Sequence, residues 1–324
     1  MPSSGSRTCC GPTSAPPSWP RAWPPLPGAT AATARAEPVS AEAASSDAKR
    51  WRDLKKRAIS AAVLGPGALL CIWLGALPWT ALMAVAIAGL VWEWVHLCGL
   101  RNRVLPGAAV PAAVFVACAI AVLGYNWWAL ALLLMGAAAT WGGAGWMRRR
   151  DGRPASAGWL GFGVLYVGIA GISLIALRHD NEAGRDNVLF LIAVVWASDI
   201  GAYIVGRMVG GPKLAPAISP GKTWSGAVGG LLCCMAIGAG VAAWATPYPD
   251  DMIKAAGIAA LLGVATQIGD LLESAFKRHF GVKDSSALIP GHGGLLDRLD
   301  GLIAAAPVAA LLALAVGYGV VLWR

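Results

Sequence analysis

The sequence has few charged residues. Only 13% of its 324 residues are Asp, Glu, Lys or Arg, whereas 57% are hydrophobic. Soluble domains contain about 25% charged residues, so this chain has roughly half of the usual share. The shortage argues against an ordinary cytosolic globular protein. Runs of about 20 apolar residues recur along the chain, and each is long enough to cross a bilayer as a helix. The composition therefore predicts a polytopic membrane protein.

Two further patterns are missing. The seven cysteines form no CxxC pair and most lie inside apolar runs, so we expect buried, inert thiols and no disulfide framework. The alternation of apolar and polar residues over segments of about ten residues, which is typical of membrane β-barrels, is also absent. The predicted fold is therefore an all-α polytopic membrane protein.

The first fifty or so residues differ from the rest. They are rich in Pro, Ala and Ser, as in Pro16-Pro17 and the run from Ala29 to Ala36. Such a segment cannot bury enough apolar surface to offset its chain entropy. It also lacks the apolar core and cleavage site of a secretory signal. We predict a disordered tail over residues 1–50 and an integral-membrane domain over residues 51–324.

About nine transmembrane helices are predicted from the apolar runs. They cover residues 58–77, 79–98, 104–123, 127–146, 157–177, 187–206, 225–245, 253–273 and 302–322.

Basic residues are concentrated in every second connecting loop. One set of loops, beginning with Lys49–Arg57, holds most of them, whereas the opposite set holds only Arg178, Arg185, Lys254 and the terminal Arg324. Because Lys and Arg accumulate on the cytoplasmic side, nine spans place the N-terminus in the cytoplasm and the C-terminus outside. The net charge of +9 is then explained by basic residues in the cytoplasmic loops, and no nucleic acid is expected as a partner.

Two pairs of carboxylates lie at predicted helix ends. Asp270 and Glu273 are three residues apart, as are Asp297 and Asp300, so each pair shares a helix face. Ionisable groups at membrane depth are costly and usually line a cavity or a site. Oxygen ligands from two helices suit Mg²⁺, which commonly binds one or two carboxylates together with substrate phosphates. The alternative is a helix end stabilised by salt bridges, for example between Glu273 and Lys277.

A glycine-rich loop precedes the second carboxylate pair. In the sequence Gly291-His292-Gly293-Gly294, backbone N–H groups can approach an anion closely. A flexible loop explains the same residues equally well. His292 is a candidate hydrogen-bond donor to phosphate, a candidate base, or a turn residue.

A second polar stretch runs from Ser198 to Ser225. It contains Asp199, an intramembrane acid that fits either a ligand role or a hydrogen bond between helices. Its end, Ser219–Thr223, is not a P-loop, because Pro216 stands where that pattern needs Gly. The cluster can still hold phosphates, or be an interfacial loop. Glu93, between two tryptophans near a span end, is expected to make a structural polar contact.

The second stretch resembles the signature of the phosphatidate cytidylyltransferases, or CDP-diacylglycerol synthases. The spacing is kept from Ser274-Ala-Phe-Lys277-Arg278 through Lys283-Asp284 to Pro290-Gly-His292-Gly293-Gly294-Leu-Leu-Asp297-Arg298-Leu-Asp300. Asp199 with Tyr203 and Gly206, and the Ser219–Thr223 loop, are also similar to family sequence. The resemblance covers roughly residues 55–324. It departs at Ser225, where the family usually has an acidic residue, and at Gly221, where a basic or amide residue is common.

The resemblance implies that CTP and phosphatidic acid react to give CDP-diacylglycerol and pyrophosphate for phospholipid biosynthesis. Mg²⁺ is the implied cofactor, and a second, monovalent cation is compatible with such a site. The implied partners are CTP, phosphatidic acid and the lipid bilayer, and a homodimer is compatible with them. The implied location is a bacterial-type inner membrane, with the active site on its cytoplasmic side.

The resemblance also implies roles for individual residues. The expected metal ligands are Asp270, Glu273, Asp297 and Asp300. The expected catalytic residues are Asp270, Lys277, Arg278, Lys283, Asp284, His292, Asp297, Arg298 and Asp300. The expected substrate-binding residues are Asp199, Ser219, Lys222, Thr223, Ser274, Gly293 and Gly294.

Three other classes of protein fit parts of the sequence. A transporter would suit the intramembrane Asp199, but the charged stretches lie at one membrane face and no paired broken helices are evident. A CDP-alcohol phosphotransferase would share Asp297-Arg-Leu-Asp300-Gly301, but the Ala-Arg expected soon afterwards is missing. A non-catalytic scaffold leaves the carboxylates and the glycine-rich loop unexplained.

Overall fold

The structure is a computed structural model that describes residues 62–100, 107–151, 157–180, 183–286, 288, 293–317 and 319–324. The predicted disordered tail and His292 lie outside these ranges. Within them the chain is almost entirely helical, which agrees with the all-α prediction.

Nine helices lie in the described ranges. They are α1 (Ala62–Leu74), α2 (Ala76–Leu97), α3 (Ala109–Val122), α4 (Asn126–Asp151), α5 (Ala157–His179), α6 (Gly184–Val209), α7 (Trp224–Ala245), α8 (Pro249–His279) and α9 (Leu296–Val316).

Seven of these helices are long and apolar enough to cross a membrane. The other two are α1 and α3, which have between 10 and 17 residues. With 14 residues, α3 is about 21 Å long at the rise of an α-helix. The hydrocarbon layer is about 30 Å thick, so such a helix does not span it unaided. The polytopic architecture is thereby supported, whereas the number of nine spans and the orientation of the termini stay predictions.

The last helix begins and ends earlier than the sequence predicts. The predicted span covers residues 302–322, whereas α9 runs from Leu296 to Val316. Asp297 and Asp300 belong to its first turns. A carboxylate near a helix N-terminus interacts favourably with the helix dipole, so the helix begins with charged residues that a search for apolar runs omits. Gly317 ends the helix with a φ of 114°, a conformation that favours glycine.

Helices adjacent in sequence pack against each other through most of the bundle. The most extensive packing joins α6 to α7, α7 to α8, and α4 to α5, while α8 packs against α9 and α5 also contacts α2 and α9. Glycines allow the approach of α6 to α7: a Cβ on Gly226 would lie 2.8 Å from the Ala202 carbonyl oxygen, and one on Gly230 2.8 Å from that of Ser198. Small residues at helix crossings are typical of membrane bundles.

A short β-hairpin connects α6 to α7, where the sequence predicted a loop without strands. Strands β1 (Lys213–Ala215) and β2 (Ser219–Thr223) are antiparallel, with Lys213 opposite Thr223. Thr223 then caps α7, because its Oγ1 accepts a hydrogen bond of 3.1 Å from the Gly226 amide. The hairpin carries Lys222 towards α8.

The described cysteines are free thiols. Cys98, Cys118 and Cys234 are buried in the apolar core, whereas Cys71 and Cys233 are only partly buried.

Candidate active site

A cavity of about 690 Å³ opens between α6, the hairpin, α7, α8 and α9. Its lining includes several residues that the sequence singled out, namely Asp199, Lys222, Thr223, Asp270, Asp297, Arg298 and Asp300. Residues from two separate stretches of the sequence therefore meet at one place. The apolar background makes this concentration of charge unusual.

Three carboxylates lie together beside this cavity, and we call Asp270, Glu273 and Asp300 the carboxylate cluster. One oxygen of each lies within 4.8 Å of the others. Asp270 and Glu273 are one turn apart on α8, and Asp300 comes from α9. The two helices are close here, since a Cβ on Gly269 would lie 2.6 Å from the Asp300 carbonyl oxygen. The arrangement is the one that the spacing of the two acidic pairs predicted for these three residues.

Glu273 has a buried oxygen that accepts no hydrogen bond from the described residues. Its side chain is almost completely enclosed, and its Oε2 forms an ion pair of 2.8 Å with Lys277 Nζ. Its Oε1 is buried, and no donor of the described part of the chain reaches it. Buried polar atoms are normally satisfied, so this oxygen has capacity to bind a cation or a water molecule. The carboxylate cluster therefore fits a hard divalent cation, which takes oxygen ligands.

Lys222 lies against the carboxylate cluster. Its Nζ is 2.5 Å from Asp270 Oδ2, and both side chains are partly exposed to the cavity. The hairpin brings this lysine to α8 from a distant part of the sequence. A cation and carboxylates on the same wall can attract both an anionic phosphate and the metal ion that accompanies it.

Asp297, a predicted metal ligand, makes a different set of contacts from the other three acids. Its Oδ1 is 3.0 Å from Lys277 Nζ. Its Oδ2 accepts hydrogen bonds from the amides of Gly294, at 3.0 Å, and Ser285, at 3.2 Å. Lys277 thus lies between Asp297 and Glu273, with its side chain only 16% exposed. Most of the acceptor capacity of Asp297 is taken up by the protein itself.

The other predicted residues are distributed around the cavity and in the adjacent loop. Arg278 is exposed, and its Nε donates a hydrogen bond of 3.3 Å to the Ile218 carbonyl oxygen at the turn of the hairpin. Lys283 and Asp284 are exposed in the loop that follows α8, and Ser219 begins β2. Gly293 has a φ of 84°, in the left-handed region that favours glycine. Ser274 is partly buried on α8.

Glu93 makes the structural contact expected of it. It is fully buried on α2 and accepts hydrogen bonds from the Ser285 and Ser286 hydroxyls and from the Leu295 and Leu296 amides. Its position between two tryptophans at a span end indicated a polar contact. The partners could not be identified from the sequence, because they lie roughly 200 residues away.

The chain matches the model of the cytidylyltransferase family over residues 55–316. It is 40% identical to the phosphatidate cytidylyltransferase of Brucella suis biovar 1 (strain 1330) over 262 residues, which are 78% of this chain and 91% of that protein. It is 38% identical to the enzyme of the same name from Pseudomonas aeruginosa PAO1 over 281 residues, 82% of this chain and 99% of that protein.

The similarity extends to a third bacterium. The phosphatidate cytidylyltransferase of Haemophilus influenzae is 36% identical over 288 residues, 78% of this chain and 96% of that protein. The matched regions include the hairpin, the carboxylate cluster and both helices that carry it. The resemblance noted in the sequence is thereby confirmed, and the chain belongs to the cytidylyltransferase family.

Proposed function

We propose that this protein transfers the cytidylyl group of CTP to phosphatidic acid, giving CDP-diacylglycerol and pyrophosphate. Family membership and the names of the relatives support this activity. The observation that carries the proposal to particular residues is the carboxylate cluster, with Lys222 against it, beside a cavity lined by charged side chains in an apolar bundle.

The reaction needs no nucleophile from the protein. An oxygen of the lipid phosphate attacks the α-phosphorus of CTP, and the bond from that phosphorus to the bridging oxygen of the β-phosphate breaks. Pyrophosphate leaves with the electron pair of that bond. Phosphoryl-type transfer depends mainly on positioning and on neutralising charge. The chain's contribution is therefore to bind two anionic substrates side by side.

Asp270, Glu273 and Asp300 are the residues that would hold Mg²⁺. The unpartnered Glu273 Oε1 and the 4.8 Å grouping of the three oxygens support this assignment. Bound Mg²⁺ would neutralise charge on the nucleotide phosphates. Asp297, with oxygens that already accept bonds from Lys277 and two amides, would hold Lys277 in place.

The cations of the cavity would bind phosphate. Lys222 and Arg298 line it, and Lys222 can exchange its contact with Asp270 for a phosphate oxygen. Thr223 lines it as well. Arg278 would act on the substrate less directly, because it holds the turn of the hairpin that carries Lys222. Asp199, also in the lining, faces the same space.

We place the cavity at the cytoplasmic face of a bacterial inner membrane. Support comes from the lysines and arginines near the cavity, which include Arg207, Lys213, Lys222, Lys277, Arg278, Lys283 and Arg298. Lys and Arg accumulate on the cytoplasmic side of membrane proteins. CTP is available in that compartment, and the phosphate of a membrane lipid lies at the same interface.

The direct test is incorporation of radiolabelled CTP into lipid by the purified protein in detergent. We expect labelled CDP-lipid only when both phosphatidic acid and Mg²⁺ are present, and almost none from Asp270→Asn. Uptake of substrate into liposomes without turnover of CTP would instead indicate a transporter and would contradict the proposal.

A further inference from the structure

Glu93 is a fully buried carboxylate on α2 that belongs to no wall of the cavity described above. It nevertheless contacts the middle of the loop that connects α8 to α9 and the junction of this loop with α9. Its Oε1 accepts hydrogen bonds from the Ser286 hydroxyl, at 2.6 Å, and the Leu295 amide, at 2.7 Å. Its Oε2 accepts from the Ser285 hydroxyl, at 3.0 Å, and the Leu296 amide, at 2.8 Å.

Two of these bonds replace a missing helix cap. The first amides of a helix have no partner within the helix and are usually bound by a Ser, Thr, Asp or Asn side chain at the N-cap. The N-cap of α9 is Leu295, which supplies no such side-chain bond. Glu93 binds the Leu295 and Leu296 amides from another helix, and its negative charge suits the positive end of the α9 dipole.

One of the other two bonds, from Ser285, connects Glu93 to the carboxylate cluster through a continuous series of contacts. The Ser285 hydroxyl donates to Glu93, while the Ser285 amide donates to Asp297 Oδ2 at 3.2 Å. Asp297 contacts Lys277 Nζ at 3.0 Å, and the same Nζ lies 2.8 Å from Glu273 Oε2. The series runs from α2, through the loop and α9, to α8.

The residues around Glu93 hold it in a fixed position. The neighbouring Trp94 is fully buried, and its Nε1 donates a hydrogen bond of 2.8 Å to the Trp159 carbonyl oxygen of α5. Gly294 packs directly on the carboxylate, since a Cβ at that position would lie 2.9 Å from Glu93 Oε2. Gly89, one turn earlier on α2, would likewise place a Cβ 2.8 Å from the Leu295 side chain.

We infer that Glu93 is a positioning residue for the reaction. It fixes the start of α9 and the serine pair of the loop, so that Asp297 holds Lys277 and Lys277 holds only one oxygen of Glu273. The second oxygen of Glu273 then stays available to a ligand shared with Asp270 and Asp300, the other two acids of the carboxylate cluster. This inference rests on the proposed function, because the cluster is taken as the site of cytidylyl transfer.

The test compares Glu93→Gln with His96→Gln. Both residues lie near the end of α2, but His96 is exposed, and its Nδ1 contacts the Trp92 carbonyl oxygen one turn earlier in the same helix at 2.7 Å. Glutamine at position 93 keeps the shape but turns one acceptor oxygen into a donor that opposes an amide or a hydroxyl. We expect Glu93→Gln to lower kcat about 10- to 100-fold, as for groups that orient metal ligands. We also expect it to raise the Mg²⁺ concentration that gives half the maximal rate.

If Glu93 had a merely structural role, the result would be different. The Glu93→Gln protein would have a lower yield or Tm, but the folded enzyme would keep the Mg²⁺ dependence of His96→Gln and of the unaltered protein. That result would overturn the inference. Ser285→Ala removes the hydroxyl but keeps the amide, and combining it with Glu93→Gln should lower kcat by less than the product of the two single effects.

The outcome for Glu93 can be separated from the outcome for the proposed function. An active unaltered protein with a Glu93→Gln variant of unchanged Mg²⁺ dependence overturns only the role of Glu93. An inactive unaltered protein overturns the proposed function, and amide hydrogen exchange in the peptides that cover residues 285–297 then tests only the structural premise, that Glu93 fixes the start of α9 and the serine pair. Faster exchange in Glu93→Gln than in His96→Gln supports this premise, and equal exchange overturns the inference whatever the activity.

Discussion

The two ends of the helix bundle use buried polar groups in opposite ways. At one end, the buried Glu273 keeps an oxygen without a donor from the described residues, and the partly buried Asp270 and Asp300 line an open cavity. At the other end, Asp180 and Asn187 are buried. Their polar atoms, however, are bound by the last residues of the chain.

At this second end, backbone groups of the C-terminal segment bind the side-chain polar atoms of Asp180 and Asn187. Both oxygens of Asp180 accept from the Gly319 amide, at 3.0 and 2.9 Å. Asn187 Oδ1 accepts from the Leu322 amide at 2.8 Å, and its Nδ2 donates to the Val320 carbonyl oxygen at 3.3 Å. Trp323 packs against Phe190 with ring centroids 4.9 Å apart. These groups hold the C-terminal segment, residues 319–324, onto the bundle.

A buried acid in an apolar bundle is therefore not by itself a sign of a reactive site. What distinguishes these acids is whether protein donors already occupy both carboxylate oxygens. Where they do, as at Asp180 and Asp297, the acid stabilises the fold. Where the described residues supply a donor to one oxygen, as at Asp300 with the Gly301 amide on Oδ1 and at Asp270 with Lys222 on Oδ2, the acid has capacity for a ligand.

The largest expected difference between the two ends comes from making the same Asp→Asn substitution at each of them. We expect Asp300→Asn to lower CTP turnover by at least about 100-fold, because the lost charge belongs to the cluster that would hold the metal. Asp180→Asn should leave turnover per folded molecule within about twofold, since its contacts lie at the other end. Turnover of radiolabelled CTP, divided by the folded fraction from size-exclusion chromatography, measures both. Equal losses would contradict the distinction between the ends.

A smaller effect is expected from the cations. Lys222→Gln should lower kcat/KM for CTP about 10- to 100-fold, the equivalent of one charge-assisted hydrogen bond. The matched substitution is Lys254→Gln, because Lys254 is an exposed lysine of the opposite end that contacts Asp251 at 3.9 Å. Steady-state kinetics with varied CTP should show no change for Lys254→Gln. A similar KM for CTP in both variants would argue against phosphate binding by Lys222.

The smallest effect on catalysis is expected from Asn187→Ala. The substitution leaves the Leu322 amide and the Val320 carbonyl oxygen without their partner, which should cost about 1–3 kcal/mol of stability. We expect a lower Tm in detergent and kinetic constants like those of the unaltered protein. A change in KM for CTP at unchanged Tm would show that the two ends are coupled.

The sequence was sufficient to single out most of the charged residues that line the cavity because charge is scarce in this chain. Asp199, Lys222, Asp270 and Asp300 were conspicuous against apolar surroundings, and the structure brings them to one cavity. The sequence did not separate Asp297 from these acids. Its partners include amides of Ser285 and Gly294, and a backbone amide has no signature in a residue pattern.

The start of α9 was misplaced for a related reason. Hydropathy favours the apolar part of a helix and omits a charged first turn. Here the first turn is stabilised by Glu93, a residue of a distant helix. The hairpin between α6 and α7 was missed because strands of three and five residues leave almost no periodicity to detect.

The sequence by itself determined the class of fold, the family and the residue types of the site. Apolar runs, loop charges and fixed motif spacing are local properties that can be read along one dimension. Only the tertiary structure decided which carboxylates share a cavity and which are bound by the backbone. That choice depends on contacts between helices that are far apart in the chain, such as Glu93 with Leu295 and Lys222 with Asp270. Packing in three dimensions brings these groups together, and hydrogen bonding then determines which of their oxygens are left for a ligand.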